Sequence, residues 1–368
     1  MIKILFFIET LTGGGAEKVL CNLVNNMDKS KFDITVMTLF PVDSEKYLDK
    51  AVRYRSAYKS DNKLNRLLYR AEAEAGLAYP LRMKGDYDIE VAYLECGPTK
   101  IMASSTNKKA KKLAWVHTDL NAMPDNPKEF ASRTIKYYKK YDRVVCMSRQ
   151  ALNSFRELYG EDIETALIYN TVNDKEIISK ATETVATDKN KFNVVSVGRL
   201  VEPKNYKRLL SAHKKLLDDG FDHNLLILGE GPDRKELEAY VKENGLEATV
   251  KMPGFVENPY PYIKNADLLV CSSIYEGFST FITEGLILGR PAVVTDVSGM
   301  RELLGDSEYG LVTENDDEAF YEGMKKMLSD KKLLNHYEEQ ARLRGKMFST
   351  ENLVRATEKF FISVLRNN

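Results

Sequence analysis

The sequence predicts an α/β protein of two doubly wound domains, each built on a parallel sheet. Apolar runs rich in Val, Ile and Leu alternate along the chain with segments of helical periodicity, which is typical of βα units. The pattern weakens across residues 171–192 and then begins again. The length of 368 residues is about twice that of a typical domain. We therefore expect two such domains that face each other across a ligand-binding cleft.

Six strand candidates precede the weak segment and six follow it. In the first half they are Ile2–Ile8, Asp33–Leu39, Glu90–Leu94, Leu113–His117, Arg143–Met147 and Thr165–Tyr169. In the second half they are Asn193–Gly198, Asn224–Gly229, Thr249–Pro253, Leu268–Ser272, Pro291–Thr295 and Gly310–Val312. The domains are expected over residues 1–175 and 190–348. The last segment, 350–368, carries an apolar helical stripe, and we expect it to pack back on the first domain.

Composition excludes several other classes of protein. No run of about 18 apolar residues is present, so no transmembrane helix is predicted. The opening MIKILFFIETLTGGG carries Glu9 and ends in glycines, which indicates a first strand instead of a signal peptide. The four cysteines have no CxxC spacing, which argues against a disulfide framework or a zinc site. A cytoplasmic protein is expected.

The charges cancel overall but not locally. Of 54 basic and 54 acidic residues, the first 170 positions hold an excess of +5 and the remainder an excess of −5. Basic side chains concentrate at residues 51–70 and 108–143. A solvated face is the ordinary explanation, and attraction to anionic lipid or to a polyanionic substrate is the alternative. The zero net charge and the lack of a recognition module argue against nucleic acid as a partner.

Two cations follow the first strand of the second half. Arg199 and Lys204 lie five residues apart in GRLVEPKN. A planar guanidinium and a mobile ammonium are together suited to holding a diphosphate. A surface salt bridge to Glu202 is the alternative.

Two glutamates follow the strand at 268–272. Glu276 lies on a loop that contains Gly277, and Glu284 lies eight residues further on, inside the next predicted helix. The residues whose backbone N–H groups begin this helix and could face an anion are Phe278, Ser279 and Thr280. Each carboxylate could hold a vicinal diol of a ribose or sugar ring. The pair could also act as acid and base in glycoside hydrolysis, and exposed helix glutamates are the plain alternative.

Two features of the first half are weaker signals. The glycines Gly13, Gly14 and Gly15 precede a predicted helix and would let the backbone approach a phosphate, but they lack the GxGxxG spacing, so a tight turn is an equal alternative. His117 ends the strand LAWVH, where a histidine is more often structural. The remaining histidines are expected at the surface: His213, His223 and His336.

These segments together resemble the retaining glycosyltransferases of family 4, which have the GT-B fold of two Rossmann-like domains facing a central cleft. The segments are GRLVEPKN at 198–205, LGEGPDR at 228–234, PGFVENP at 253–259, ADLLVCSSIYEGFSTFITEGLILGRP at 266–291 and TDVSGMREL at 295–303. The resemblance is greatest to bacterial members that build capsular polysaccharide or exopolysaccharide. Members often carry a second glycine where this sequence has Asn205.

The resemblance implies a role for each candidate residue. Arg199 and Lys204 would bind the donor diphosphate, and Glu284 would hold the ribose hydroxyls. Glu276 and the backbone of residues 277–280 would contact the donor sugar. The other implied donor contacts are Phe255 and Val256 beside the base, and Gly14 and Gly15 at the phosphates. His117 would lie beside the sugar and the acceptor, and it joins Glu276, Arg199 and Lys204 as an expected catalytic residue.

The resemblance also implies the reaction. A hexosyl or N-acetylhexosaminyl group would pass, with retention, from a nucleotide-diphosphate sugar, with UDP as the expected nucleotide, to a saccharide acceptor that is lipid-linked, in surface polysaccharide biosynthesis. No cofactor or metal is expected, because Arg199, Lys204 and helix N-termini can neutralise the leaving group. Two alternatives stay open: a sugar-nucleotide epimerase or hydrolase of the same fold, and a regulator that binds nucleotide sugars.

The basic clusters lead to a further hypothesis, that the first domain docks peripherally on the anionic inner face of the cell membrane. One segment of the second cluster interleaves tyrosines with lysines, namely Tyr137, Tyr138 and Tyr141 with Lys136, Lys139 and Lys140. Such a composition suits a helix in the membrane interface.

Overall fold

Two parallel sheets organise the chain. The computed structural model describes residues 1–11, 15–122, 126–185, 188, 190–276, 278–297 and 299–366. The chain divides into a first unit, Met1–Val172 with Thr350–Asn368, and a second unit, Asn173–Ser349. Each unit contains one sheet, so the predicted α/β class with two doubly wound domains is confirmed.

The first unit has seven parallel strands. They are β1 (Ile2–Phe7), β2 (Phe32–Thr38), β3 (Arg53–Ser56), β4 (Ile89–Ala92), β5 (Lys111–Val116), β6 (Arg143–Cys146) and β7 (Thr165–Leu167). Their order is β3-β2-β1-β4-β5-β6-β7, and the winding reverses between β1 and β4. Strand β3 was not predicted from the sequence, because this edge strand has the polar sequence RYRS with alternating exposed and half-buried side chains, and so it lacks an apolar run.

Six helices of the first unit follow these strands. They are α1 (Gly15–Asn26), α2 (Lys63–Glu74), α3 (Ala78–Arg82), α4 (Gly97–Met102), α5 (Pro127–Tyr138) and α6 (Arg149–Tyr159). Helices α3 to α6 contribute to the core on one face of the sheet, and α1 contributes to the core on the other. Short 3₁₀ helices occur at Ser44–Lys46 and Leu120–Ala122.

The second unit repeats the architecture with six parallel strands. They are β8 (Phe192–Val197), β9 (His223–Leu228), β10 (Val250–Gly254), β11 (Leu268–Cys271), β12 (Ala292–Thr295) and β13 (Leu311–Thr313). Their order is β10-β9-β8-β11-β12-β13, so the winding reverses between β8 and β11. The helices are α7 (Asp174–Lys180), α8 (Tyr206–Asp218), α9 (Arg234–Glu243), α10 (Tyr260–Lys264), α11 (Thr280–Ile287), α12 (Met300–Leu304), α13 (Asp317–Ser329) and α14 (Lys331–Met347).

Helix α7 lies within the segment 171–192 that we expected to be only a connection. Its Ile177 is buried, and the helix packs against α10 and α11. The second unit therefore begins at Asn173 and not near residue 190. A helix of seven residues shows too little periodicity to stand out in the sequence.

The final helix, α15 (Thr350–Arg366), belongs to the first unit although it follows the second in sequence. It packs beside α1. The ring of Phe361 lies 5.9 Å from that of Phe6 and 6.0 Å from that of Trp115, which places α15 on the core around β1 and β5. Among the described helices, none has both the length and the apolar character needed to cross a bilayer.

Candidate functional site

The carboxyl ends of β8 and β11 are neighbours where the winding of the second sheet reverses, which is the usual ligand position in doubly wound sheets. β8 runs into Gly198 and Arg199, and a 3₁₀ helix, Glu202–Lys204, follows. β11 runs into the loop that carries Glu276. The fold thus brings together two segments whose candidate residues are 72 positions apart in sequence.

Lys204 and Glu276 form an ion pair at this position. The ammonium of Lys204 donates to Oε2 of Glu276, and the hydroxyl of Ser273 donates to the same oxygen at 3.2 Å. The two charged side chains are 25% and 13% exposed, so the pair is shielded from water but can be reached. An anionic ligand would compete with Glu276 for the ammonium.

Arg199 is exposed at the end of β8. Its guanidinium forms no ion pair with any residue in the described ranges, so the alternative of a salt bridge from Arg199 to Glu202 is not formed there. Arg199 follows β8, which neighbours β11, so a guanidinium without an ion pair in the described part of the chain is available there to an anion from solution.

A buried network supports the loop of Lys204. The hydroxyl of Ser272 donates to the carbonyls of Lys204 and Asn205 at 2.9 and 3.1 Å. Arg208, 7% exposed on α8, donates to the carbonyl of Ser272 at 3.4 Å and to Oδ1 of Asn315 at 2.6 Å. Ser272 and Arg208 were not predicted from the sequence. For Arg208 the only signal is its place as a basic residue beside the apolar stripe of a helix.

Asn205 occupies the position where the resembled family often has glycine. Its φ is 45°, in the left-handed region that asparagine tolerates better than most other residues. Its side chain accepts the Arg208 N–H at 3.3 Å and so caps α8. Asparagine therefore keeps the backbone that glycine would provide.

Glu284 lies in the second turn of α11. Burial raises the pKa of its carboxyl to about 7, and the Tyr260 hydroxyl, which donates to Oε1 at 3.4 Å, partly offsets this. The next residue, Gly285, lets α11 lie against β11, since a Cβ there would be 2.2 Å from Cδ1 of Leu269. Glu284 is thus a half-buried carboxyl that is only partly ionised near pH 7.

Helix α11 begins between Glu276 and Glu284. Gly277 lies outside the described residues. The ring of Phe278 is half-buried and meets the ring of Phe348 edge-on at 6.0 Å. Ser279 caps the helix by accepting the Ile282 N–H at 3.4 Å, and Thr280 is its first residue. The positive end of the helix dipole therefore follows Glu276 by four residues.

Phe255 and Val256 follow β10. Phe255 is 77% exposed, whereas Val256 is half-buried. Strand β10 ends at Gly254, directly before Phe255. The φ of Gly254 is 95°, and a Cβ there would lie 2.6 Å from Oε1 of Glu230. An exposed ring at the carboxyl edge of a sheet is available to stack on a planar ligand.

In the first unit, His117 follows β5. The ring is buried and lies 4.8 Å from the Tyr93 ring, and neither ring nitrogen has a hydrogen-bond partner among the described residues. Burial lowers the pKa of His117 to about 4, so the ring is neutral at pH 7. A buried imidazole without a partner can still bind a hydroxyl.

Glu95, which the sequence analysis missed, holds the backbone at His117. Its Oε1 accepts the N–H groups of His117 at 2.5 Å and Thr118 at 2.7 Å. Burial raises the pKa of Glu95, and these two backbone donors act in the opposite direction. Glu95 follows β4 and His117 follows the neighbouring β5, so only the sheet order brings them together.

The glycine-rich loop is described only in part. Gly13 and Gly14 lie outside the described residues, and Gly15 is the first residue of α1. A Cβ on Gly15 would meet nothing within 4 Å, so space does not require glycine there.

Two expectations about side-chain exposure were wrong. His213 and His223 are fully buried, and their Nδ1 and Nε2 atoms lie 2.8 Å apart. Tyr138 and Tyr141, expected in a membrane interface, are 1% and 8% exposed and belong to the core of the first unit. Both errors have one cause. Histidine and tyrosine stand among charged residues in the sequence whether their rings are buried or exposed, so the sequence pattern does not distinguish the two cases.

Across the described ranges, no three His, Cys, Asp or Glu side chains lie close enough together to hold a metal ion. The acidic groups at the site are paired with Lys204 or with a tyrosine hydroxyl. The Arg199 guanidinium, in contrast, has no ion pair in the described part of the chain.

Two family models match nearly the whole chain. The model described as Glycosyltransferase Family 4 matches residues 13–176, and the model described as Glycosyl transferases group 1 matches residues 178–344. The junction between the matches lies a few residues from the boundary between the two units.

Known proteins show the same relationship. An N-acetylgalactosamine-N,N'-diacetylbacillosaminyl-diphospho-undecaprenol 4-alpha-N-acetylgalactosaminyltransferase of Campylobacter jejuni is 36% identical over 228 residues, and the match spans 61% of this chain and 61% of that relative. A GalNAc-alpha-(1->4)-GalNAc-alpha-(1->3)-diNAcBac-PP-undecaprenol alpha-1,4-N-acetyl-D-galactosaminyltransferase of the same organism is 25% identical over 96% of each chain.

A solved structure has the same fold. The structure of Anabaena HepE in complex with UDP superposes with a TM-score of 0.76 at 18% identity, covering 98% of this chain and 100% of that one. At this identity the likeness shows the fold alone. With both halves matched by family models and the GT-B fold shared over its length, the chain belongs to the family 4 glycosyltransferases.

Proposed function

We propose that this chain is a retaining glycosyltransferase that moves an N-acetylhexosaminyl or hexosyl group from a UDP sugar to a lipid-linked saccharide in surface polysaccharide biosynthesis. Family membership supports the reaction class. The names of two Campylobacter relatives support a lipid-linked acceptor and an N-acetylgalactosaminyl group. The UDP complex of HepE supports UDP as the nucleotide.

The observation that carries the proposal is the Lys204–Glu276 ion pair at the reversal point of the second sheet. A donor diphosphate takes over the Lys204 ammonium and recruits the unpaired Arg199 guanidinium. The Glu276 carboxylate then becomes available to accept hydrogen bonds from sugar hydroxyls. One exchange of partners thus couples recognition of the phosphate to recognition of the sugar.

The rest of the nucleotide has matching groups in the same unit. The Glu284 carboxyl, when ionised, can accept hydrogen bonds from both ribose hydroxyls. The exposed ring of Phe255 offers a face to the base. In the first unit, the imidazole of His117, which has no hydrogen-bond partner among the described residues, offers a neutral hydrogen-bonding group to the acceptor.

The proposed reaction needs no metal. The bond from the anomeric carbon to the diphosphate oxygen breaks, and the acceptor oxygen forms its bond on the same face. The acceptor's proton passes to the leaving phosphate, so no separate base is required. Negative charge grows on the diphosphate in the transition state, where Arg199, Lys204 and the α11 N-terminus stabilise it.

The direct test is transfer by the purified full-length chain. UDP-N-acetylgalactosamine is incubated with a short-chain prenyl-diphosphate-linked saccharide, with and without excess EDTA. We expect a glycosylated product with an α linkage by NMR and the same rate with EDTA.

Controls assign the outcome to the site. Glu276→Gln should lose transfer, whereas Glu247→Gln, an exposed glutamate of the same unit, should not. Conversion of the donor alone to an epimer or a free sugar, at the rate seen with acceptor, would favour the epimerase or hydrolase instead. A β-linked product would overturn retention, and a rate abolished by EDTA would overturn metal independence.

A further inference from the structure

Exposed leucines concentrate in one stretch of the first unit. Twelve large apolar side chains are exposed among the described residues, and five of them fall between positions 64 and 81. The five, with their exposed fractions, are Leu64 (65%), Leu67 (65%), Leu68 (38%), Leu77 (49%) and Leu81 (54%). Single exposed leucines are ordinary on a protein surface, but such a concentration marks an interaction site. Leu64, Leu67 and Leu68 lie on one helix, α2, and we call these three residues the leucine surface.

Helix α2 does not need its leucines to hold its place in the fold. The helix has no fully buried residue, and its contacts with the core are made by Tyr69 and Ala73. Leu64, Leu67 and Leu68 follow the i, i+3, i+4 spacing of one helical face, which lies away from that packed side. The face is therefore free to contact something outside the chain.

The charges around the leucine surface are positive. Lys63 and Arg70 are exposed and form no ion pair with any residue in the described ranges, while Arg66 binds Asp61 in a two-bond pair. The acidic side chains of α2 are neutralised by cations, Glu72 by Arg82 and Glu74 by Lys100. An apolar face flanked by unpaired cations fits an anionic phospholipid headgroup layer.

We propose that the leucine surface, flanked by Lys63 and Arg70, docks the first unit on an anionic phospholipid bilayer. The inference deepens the proposed function, because a lipid-linked acceptor is reached at such a surface. Of the two basic clusters that led to the docking hypothesis, it selects residues 51–70, which contain Lys63 and Arg70, over residues 108–143. The tyrosines Tyr138 and Tyr141 are in the core, whereas the leucines of α2 and α3 are in solvent.

Vesicle flotation tests the proposal with the full chain and no donor or acceptor. We expect binding to phosphatidylcholine vesicles with about one quarter phosphatidylglycerol, and little binding to phosphatidylcholine alone. Binding should fall as salt is raised from about 0.05 to 0.5 M, because screening weakens the cation–lipid attraction. The triple variant Leu64→Ser, Leu67→Ser, Leu68→Ser should bind about tenfold more weakly or worse.

Matched variants locate the surface. Leu343→Ser with Met347→Ser removes two side chains of similar exposure from α14 in the second unit, and its binding should equal that of the wild type. Lys63→Glu with Arg70→Glu should weaken binding more than Lys139→Glu with Lys140→Glu on the α5 side. The reverse order would overturn the proposal, as would a leucine variant that binds like the wild type.

Two further outcomes are distinguishable. If the wild type fails to bind anionic vesicles, and light scattering shows a dimer that the leucine variant dissociates, the surface is an interface between copies and the proposal is wrong. Since the leucines are exposed, the triple variant should melt like the wild type and keep transfer to a short-chain acceptor in detergent-free solution. Vesicle binding without any transfer would instead contradict the proposed function alone.

Discussion

Replacing Glu284 by glutamine should raise the free energy of unfolding above pH 7 relative to the wild type and lower the affinity for nucleotide. Burial raises the pKa of Glu284 from 4.5 to about 7. A shift of this size corresponds to about 3 kcal/mol in favour of proton binding by the folded chain. The folded protein therefore holds this proton more tightly than the unfolded chain does. As pH rises from 4.5 to 7 this carboxyl ionises in the unfolded chain while it stays largely protonated in the folded chain, so the free energy of unfolding falls, and the loss is complete above pH 7.

The glutamine side chain does not titrate, so the variant escapes this loss. Between pH 4.5 and pH 8, the free energy of unfolding of Glu284→Gln should change relative to wild type by up to about 3 kcal/mol in the variant's favour. Urea titrations across this range measure the difference. Glu247→Gln, which removes an exposed charge from the same unit, is the control.

Donor binding should favour the ionised form of the Glu284 carboxyl, whereas folding favours the protonated form. Only the ionised carboxyl accepts hydrogen bonds from both ribose hydroxyls, so wild-type affinity should fall about tenfold between pH 8 and pH 6. UDP-N-acetylgalactosamine is the appropriate probe, because its diphosphate has no proton to lose in this range. Calorimetry should find the affinity of Glu284→Gln low at pH 8 and independent of pH. A wild-type affinity that is constant between pH 6 and 8, or a stability difference that is constant, would refute the reasoning.

Four further substitutions have defined outcomes. Arg199→Ala and Lys204→Ala should each lower kcat/KM by about 100-fold or more in transfer assays, because each removes charge stabilisation in the transition state. Gly231→Ala should lower the free energy of unfolding by about 3 kcal/mol in urea titrations, since its Cβ would lie 2.1 Å from the carbonyl oxygen of Leu200. Burial lowers the pKa of His213 to about 3, so the wild type should lose stability as pH falls below 6.5, and His213→Gln should lose less over the same range.

Each of these outcomes has a control or a contrary result. Lys207→Ala removes an exposed cation three residues from Lys204 and should leave turnover near that of the wild type. Near-normal kcat/KM in either site variant would remove that cation from the diphosphate. A free energy of unfolding of Gly231→Ala equal to that of the wild type would show that the backbone at Leu200 shifts to accommodate the added Cβ. Equal acid sensitivity of the His213 variant and the wild type would place the titrating group elsewhere.

Most of the sheet framework could be predicted from the sequence. All twelve strand candidates are strands, with ends within two residues of those expected. Buried parallel strands are apolar on both faces, so they form continuous runs that polar helices interrupt. The edge strand β3 and the short helix α7 were missed, because both bury one side chain or none.

The site was predicted less completely. The elements around the candidate residues are those expected from the sequence, since Arg199 and Lys204 follow β8, Glu276 follows β11 and Glu284 lies on α11. Their roles in binding stay predictions. Glu95, Ser272 and Arg208 were not foreseen, since each acts on a residue from another strand or loop. Their contacts depend on the order of strands in the sheet, and local sequence patterns do not encode that order.

The sequence alone determined the periodicity of the elements, the two-fold repetition of the doubly wound pattern and the chemical groups at the strand ends. Only the tertiary structure decided which of these groups carry charge and which are accessible. It paired Lys204 with Glu276, gave Arg199 no ion pair within the described residues, buried Tyr138 and His213, and exposed Leu64. The physical reason is that hydrophobic patterning acts along the chain, whereas desolvation and ion pairing depend on neighbours that only folding assembles.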